Sequence, residues 1–155
     1  MNATDALLDK LSELKATLLP PPSEGEVTDA EKVLKSNFPS GIREFYRSSN
    51  GVQQTTENDH WDFYSLDKML DRTMAYREQD SLVLDGGENV PFKDLVCFCD
   101  VAIELNSYFF CCNQQSSTFG RFYGSTQELG WFVANTYEEF VEVFLEQNGD
   151  LILNA

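Results

Sequence analysis

The chain has 155 residues, 26 of them Asp or Glu against 11 Lys or Arg, for a formal net charge of -15. That length suits one domain or one domain with a tail, and the charge argues against binding nucleic acid or anionic lipid, both of which need a basic face. With 42% hydrophobic and 13% aromatic residues, the chain has enough apolar surface for a core, which argues against disorder.

The first residues, Met1-Asn2-Ala3-Thr4-Asp5, lack the basic and apolar regions of a secretory signal. No apolar run approaches the ~20 residues needed to cross a bilayer. The expected location is therefore cytoplasmic.

Thr4 is placed to cap a first helix. Leu7, Leu11, Leu14 and Leu18 recur at helical spacing along it. Pro20-Pro21-Pro22 ends that helix and starts an extended linker to about Gly25. A second helix is predicted from Thr28, with Thr28 and Glu31 as a capping box. Its buried face is Ala30, Val33, Leu34 and Phe38, and Pro39 stops it. A short third helix carries Ile42, Phe45 and Tyr46 on one side. Asn50-Gly51 ends it, with Gly51 suited to a left-handed position.

Residues 60–64 alternate and are aromatic-rich, which predicts a strand. Residues 66–79 read as a helix, and Asp85 to Asn89 as a turn. Strands are expected at 95–99, 102–105, 108–112 and 121–123, with Asn106-Ser107 as a tight connection. A last strand spans 131–134. Thr136 opens a final helix with a second Thr-x-x-Glu box to Glu139. Tyr137, Phe140, Val141, Phe144 and Leu145 form its stripe, and Gly149 ends it. The order implies an α+β domain. Its expected form is a mainly antiparallel sheet of about five to six strands, with N-terminal helices and a C-terminal helix packed on it.

The four cysteines are Cys97, Cys99, Cys111 and Cys112. On strands, Cys97 and Cys99 share a face while Cys111 and Cys112 point opposite ways. Neither pair has the Cys-x2-Cys spacing of a zinc knuckle. The expectation is buried reduced thiols and no metal.

Catalytic signals are sparse. His60 is the sole histidine, flanked by Asp59 and Asp62, and no Gly-x-Ser-x-Gly elbow occurs. Carboxylate pairs abound, as they do in any acidic chain, and nothing selects a glycosidase pair among them. No Gly-x-Gly-x-x-Gly, Gly-Lys-Ser/Thr or His-Glu-x-x-His motif is present. A non-enzyme without a cofactor is expected.

Charge is unevenly placed. Residues 1–77 hold 13 acids and 9 bases, while residues 78–155 hold 13 acids and only Lys93 and Arg121, a net of -11. Such self-repulsion costs stability, and a cationic partner would give a reason for it. Glu139, Glu142 and Glu146 follow i, i+3, i+7 on the final helix and so line one face.

The ordered set Glu26-Val27-Thr28-Asp29-Ala30-Glu31, Phe38-Pro39, Ile42-Arg43-Glu44-Phe45-Tyr46 and Asn50-Gly51 resembles the opening signature of the SUKH superfamily. That group includes fungal cell-wall-synthesis regulators and many bacterial immunity proteins. The segment from Trp61 to Leu66, the apolar run at 95–99, and Trp131 followed by Thr136-Tyr137-Glu138-Glu139-Phe140 are similar to its later parts. The leucine spacing and the proline run set residues 1–22 apart as a helix and proline linker, and the resemblance implies 23–155 as the SUKH-like domain. Thr28, Glu31, Pro39, Phe45, Asn50, Gly51 and Trp131 then look structural.

Bacterial members of that superfamily resemble antidotes that bind a toxin, often a nuclease. A nuclease is basic because it holds phosphate. The resemblance therefore implies a protein-binding immunity protein that neutralises a basic toxin domain, with no direct nucleic acid and no membrane. Expected contributors to the binding surface are Asp100, Glu104, Glu128, Glu138, Glu142 and Glu146, with Tyr64, Tyr108 or Tyr123 as possible aromatic anchors. Two alternatives stand beside it: a regulatory scaffold of the cell-wall-regulator type, and a hydrolase using His60 or a carboxylate pair.

Overall fold

A computed structural model describes residues 2–53, 61–101 and 106–147. His60, Glu104, Gly149 and the strand expected at 102–105 lie outside the described residues.

The first helix, α1 (Ala3–Glu13), is capped by Asn2, whose side chain accepts from the Asp5 N–H at 2.8 Å. Thr4, expected as the cap, is buried instead, 2.9 Å from the Tyr137 hydroxyl. The segment after α1 is held by backbone bonds to the stretch around Gly51. The Leu19 N–H donates to Gly51 O, Asn50 N–H to Leu19 O and Gln53 N–H to Thr17 O.

The next helix, α2 (Glu24–Leu34), starts four residues before the expected Thr28. The reason lies in a second Ser/Thr-x-x-Glu set within the same stretch. The Ser23 hydroxyl accepts from the Glu26 N–H and the Glu26 carboxylate from the Ser23 N–H, both at 3.1 Å. That reciprocal pair satisfies two donors of the first turn and fixes the start there. Thr28 is left exposed within the helix, and Val33, expected inside, is 59% exposed. Lys35 in left-handed backbone (φ 51°) ends α2, ahead of Pro39.

After α3 (Ser40–Ser48) come β1 (Trp61–Phe63) and α4 (Leu66–Tyr76). The Asp85–Asn89 turn joins a small hairpin, β2 (Ser81–Val83) with β3 (Asn89–Pro91), which periodicity had not indicated because each arm is three residues long. A 3₁₀ turn, Phe92–Asp94, leads into β4 (Leu95–Val101). Then follow β5 (Asn106–Cys111), β6 (Phe122–Ser125), β7 (Gly130–Ala134) and α5 (Tyr137–Glu146). Asn106 and Ser107, expected as a connection, are strand residues opposite Val101 and Asp100.

The five-stranded sheet has the order β1-β4-β5-β6-β7, antiparallel throughout. Every residue of β4, β5 and β6 is buried. Both faces must therefore be covered, which is why residues 95–99 and 108–112 read as continuous apolar runs rather than as alternation. On one face Phe140 of α5 stacks on Phe122 at 4.5 Å between ring centroids, and Phe45 of α3 meets Phe98 edge-on at 5.2 Å. Phe109 follows the opposite direction from Phe110 along β5. It meets Tyr76 of α4 at 4.9 Å and Phe92 at 5.8 Å.

A register shift between Cys97 and Cys99 breaks the regular alternation of β4, so the shared face expected for those two thiols does not follow from strand geometry.

Candidate functional site

The acidic surface is built by α5. Thr136 caps it, its hydroxyl accepting from the Glu139 N–H at 3.1 Å. The expected box is displaced by one residue: the Glu139 carboxylate accepts from the Asn135 N–H at 2.9 Å rather than from Thr136. Tyr137, Phe140, Val141 and Phe144 are buried and fix the helix rotation. With about 100° per residue, Glu138, Glu139, Glu142 and Glu146 fall within one sector, and all four are exposed. Glu138 and Glu139 sit in the first turn, where the helix dipole favours them. Glu142 and Glu146 have no such support and lie one turn apart.

Four cations of the first half are engaged with acids of that half. Lys10 pairs with Glu13, Arg43 with Glu24 and Glu31, Arg47 with Glu24, and Lys68 with Asp62. Among the described residues, none of Glu128, Glu138, Glu142 and Glu146 has a cation partner. The field reaches neighbouring elements. Burial pushes the Tyr137 phenol up, the bond to Thr4 draws it back in part, and the charges of Glu138 and of Glu44 on α3 push it up further.

Of the expected binding residues, Glu138, Glu142 and Glu146 therefore share one exposed face. Glu128 is exposed in the turn between β6 and β7, on a different element. Asp100 does not belong to the surface. It is 2% exposed and accepts from the Tyr64 hydroxyl at 2.6 Å. Tyr64, Tyr108 and Tyr123 are likewise core residues and cannot serve as anchors. Glu139, whose helical spacing already pointed to it, joins the face.

The signature residues explain how the helical layer is tied together. Glu31 is not a cap. It is 9% exposed, accepts the Phe38 N–H at 2.8 Å and pairs with the Arg43 guanidinium, joining the end of α2 to α3. Pro39 starts α3 rather than stopping α2, its carbonyl accepting from Ile42 and Arg43. Phe45 packs edge-on to Tyr46 and Phe98. The Asn50 side-chain oxygen accepts from the Leu66 N–H at 2.9 Å, at the start of α4. Gly51 has φ +79° beside the backbone of Phe63 and Tyr64. Trp131 lies over Gly124, where a Cβ would come within 2.7 Å of the indole.

Residues 21–144 match the model of the SMI1 / KNR4 family (SUKH-1). The chain belongs to the SUKH superfamily. No curated protein matches it in sequence.

In this SUKH chain the four cysteines are buried thiols outside any disulfide. Burial pushes Cys99 well up, with the neighbouring Cys97 adding to it. Among the described residues, no group of three or more His, Cys, Asp and Glu is placed to hold a metal ion. Asp62 and Asp100 stand opposite each other across β1 and β4, both buried, with Lys68 on the first and the Tyr64 hydroxyl on the second. These partners offset the repulsion of like charges in facing positions. Among the described residues, no helix is long and apolar enough to cross a membrane.

Proposed function

We propose that this SUKH protein is a non-catalytic protein-binding module that receives a basic protein on the acidic face of α5, as a cytoplasmic immunity protein receives a toxin domain. The observation that carries this reading is the exposed row Glu138, Glu142 and Glu146, held rigid by a buried aromatic stripe and without cation partners among the described residues. Charges of one sign on a rigid face steer an oppositely charged protein and add specificity more than raw affinity. A nuclease domain suits such a face, because its own phosphate-binding surface is basic.

The test uses the chain as bait beside a Glu138→Lys, Glu142→Lys, Glu146→Lys variant. The expected result is a basic protein retained at low salt by the wild type, released at high salt and not retained by the variant. Co-expression of the chain should also protect cells from that protein's toxicity. Equal retention by both baits would overturn the assignment of the face. Retention of partners that are not toxic would replace immunity with a regulatory scaffold.

A further inference from the structure

A basic feature of this acidic molecule lies away from α5. The end of α2, the end of α4 and the 3₁₀ turn before β4 enclose a cleft of about 360 Å³. Its walls carry Lys35, Arg77 and Lys93, three of the 11 Lys and Arg in the chain. Lys93 is one of only two bases after residue 77. The single carboxylate in the wall, Asp94, accepts from the Asn113 side-chain amide at 3.2 Å.

The frame of the cleft is fixed by backbone bonds. The Asn37 N–H donates to Cys112 O at 3.0 Å, and the Cys112 N–H to Asp94 O at 2.8 Å. Arg77 spans the same segments, donating to Leu34 O of α2 and, at 3.1 Å, to Leu95 O of β4. Its remaining contact is the Cys112 sulfur at 3.7 Å. Every acceptor of this guanidinium is therefore formally neutral, and its buried Nε has no partner. Lys35 and Lys93 are exposed and have no carboxylate partner among the described residues. Helix C-termini attract cations, which accounts for Arg77 against Leu34 O. It does not account for the Lys93 amine, which comes from another element.

We propose that this cleft binds the phosphate group of a small polar molecule. Three cations against one engaged carboxylate suit a dianion. The volume exceeds what one tetrahedral anion fills and falls at the low end of small-molecule sites. The Asn37 side-chain amide offers hydrogen bonds to a hydroxylated body. No aromatic side chain lines the cleft, so it offers nothing for a nucleobase to stack on. A sugar phosphate fits better than a nucleotide, and free phosphate shares the same anchoring chemistry.

The experiment titrates the full chain with ribose 5-phosphate, AMP and inorganic phosphate at fixed ionic strength, read by amide chemical shifts and calorimetry. The expected result is saturable shifts at Asn37, Arg77, Lys93 and Asn113, with ribose 5-phosphate binding more tightly than AMP. Lys35→Asn with Lys93→Gln should weaken binding at least tenfold, because Asn tolerates the left-handed backbone of position 35 and the fold is kept. Lys32→Gln, on the exposed face of α2, should leave it unchanged. Inorganic phosphate binding as tightly as the ester would overturn the role of the body and assign the cleft to the free anion. Shifts that do not saturate, or equal binding by the double variant, would overturn the site itself.

Discussion

The Tyr64 hydroxyl donates to the Asp100 carboxylate at 2.6 Å inside the core, between the segment after β1 and strand β4. Asp100→Ala leaves that hydroxyl without its acceptor and removes the carboxylate opposite Asp62. A hydrogen bond to a charged group contributes about 1.5–3 kcal/mol, and an orphaned buried donor costs a similar amount. The expected loss of about 2 kcal/mol is read by urea unfolding, with binding to a basic partner unchanged. Unchanged stability together with lost binding would return Asp100 to the interface.

Glu31 makes a parallel case on the helical side. It holds the Phe38 N–H and the Arg43 guanidinium together. Glu31→Ala strands a buried N–H and removes one of the two carboxylates that face Arg43, so the expected loss is about 2–3 kcal/mol. Arg43 is more exposed and is also near Glu24, at 3.8 Å. Its Ala variant should therefore cost less, and a double-mutant cycle measured by chemical denaturation should give a coupling of about 1 kcal/mol or more.

These two carboxylates mark the boundary of what was legible beforehand. The α+β class, the antiparallel sheet and the acidic row on α5 follow from periodicity, because apolar spacing fixes which side of a helix faces inward. The start of α2 did not, since Ser23 to Glu26 and Thr28 to Glu31 satisfy the same spacing rule. Glu31 is drawn instead to the chain beyond the helix, a partner no local window contains. Asp100 is buried because β1 pairs across it and Tyr64 follows β1, which is a matter of topology. The cationic cleft joins residues 35, 77, 93 and 112, and local spacing does not reveal such an assembly.

Two glycines separate conformational strain from crowding. Both Gly51 (φ +79°) and Gly86 (φ +103°) lie where side chains are disfavoured. A Cβ at Gly51 would stand 2.3 Å from Phe63 O, a backbone atom, whereas at Gly86 nothing lies within 4 Å. Gly86→Ala should cost about 1 kcal/mol and Gly51→Ala about 3 kcal/mol or more. Thermal unfolding of the pair checks the ranking, and equal losses would refute the close approach at Gly51.

Stability should fall on the alkaline side. Burial pushes the Cys112 thiol up to about 11, opposed by Arg77 and reinforced by Cys111 and Asp94. Burial also raises the phenols of Tyr46 and Tyr64. An unfolded cysteine ionises near 8.5, so above that pH the unfolded chain loses protons that the folded chain keeps. The contribution is complete below about pH 8.5 and is lost as pH rises through about 11. Urea midpoints at pH 7, 9, 10 and 11 should decline, and Cys112→Ala should flatten the first part of that decline.

The acidic face makes opposite demands on stability and on association. Glu142 and Glu146 lie four residues apart on α5, exposed and beyond the first turn. Like charges at that spacing destabilise a helix by about 0.2–0.5 kcal/mol. Glu142→Gln with Glu146→Gln should therefore leave the midpoint of unfolding unchanged or slightly raised. If the face steers a basic protein, the same variant should slow association roughly tenfold at low salt and flatten its salt dependence, with dissociation less affected. Stopped-flow association at two ionic strengths separates these effects. A variant that is both more stable and equally fast in binding would leave the repulsion on α5 without a functional counterpart.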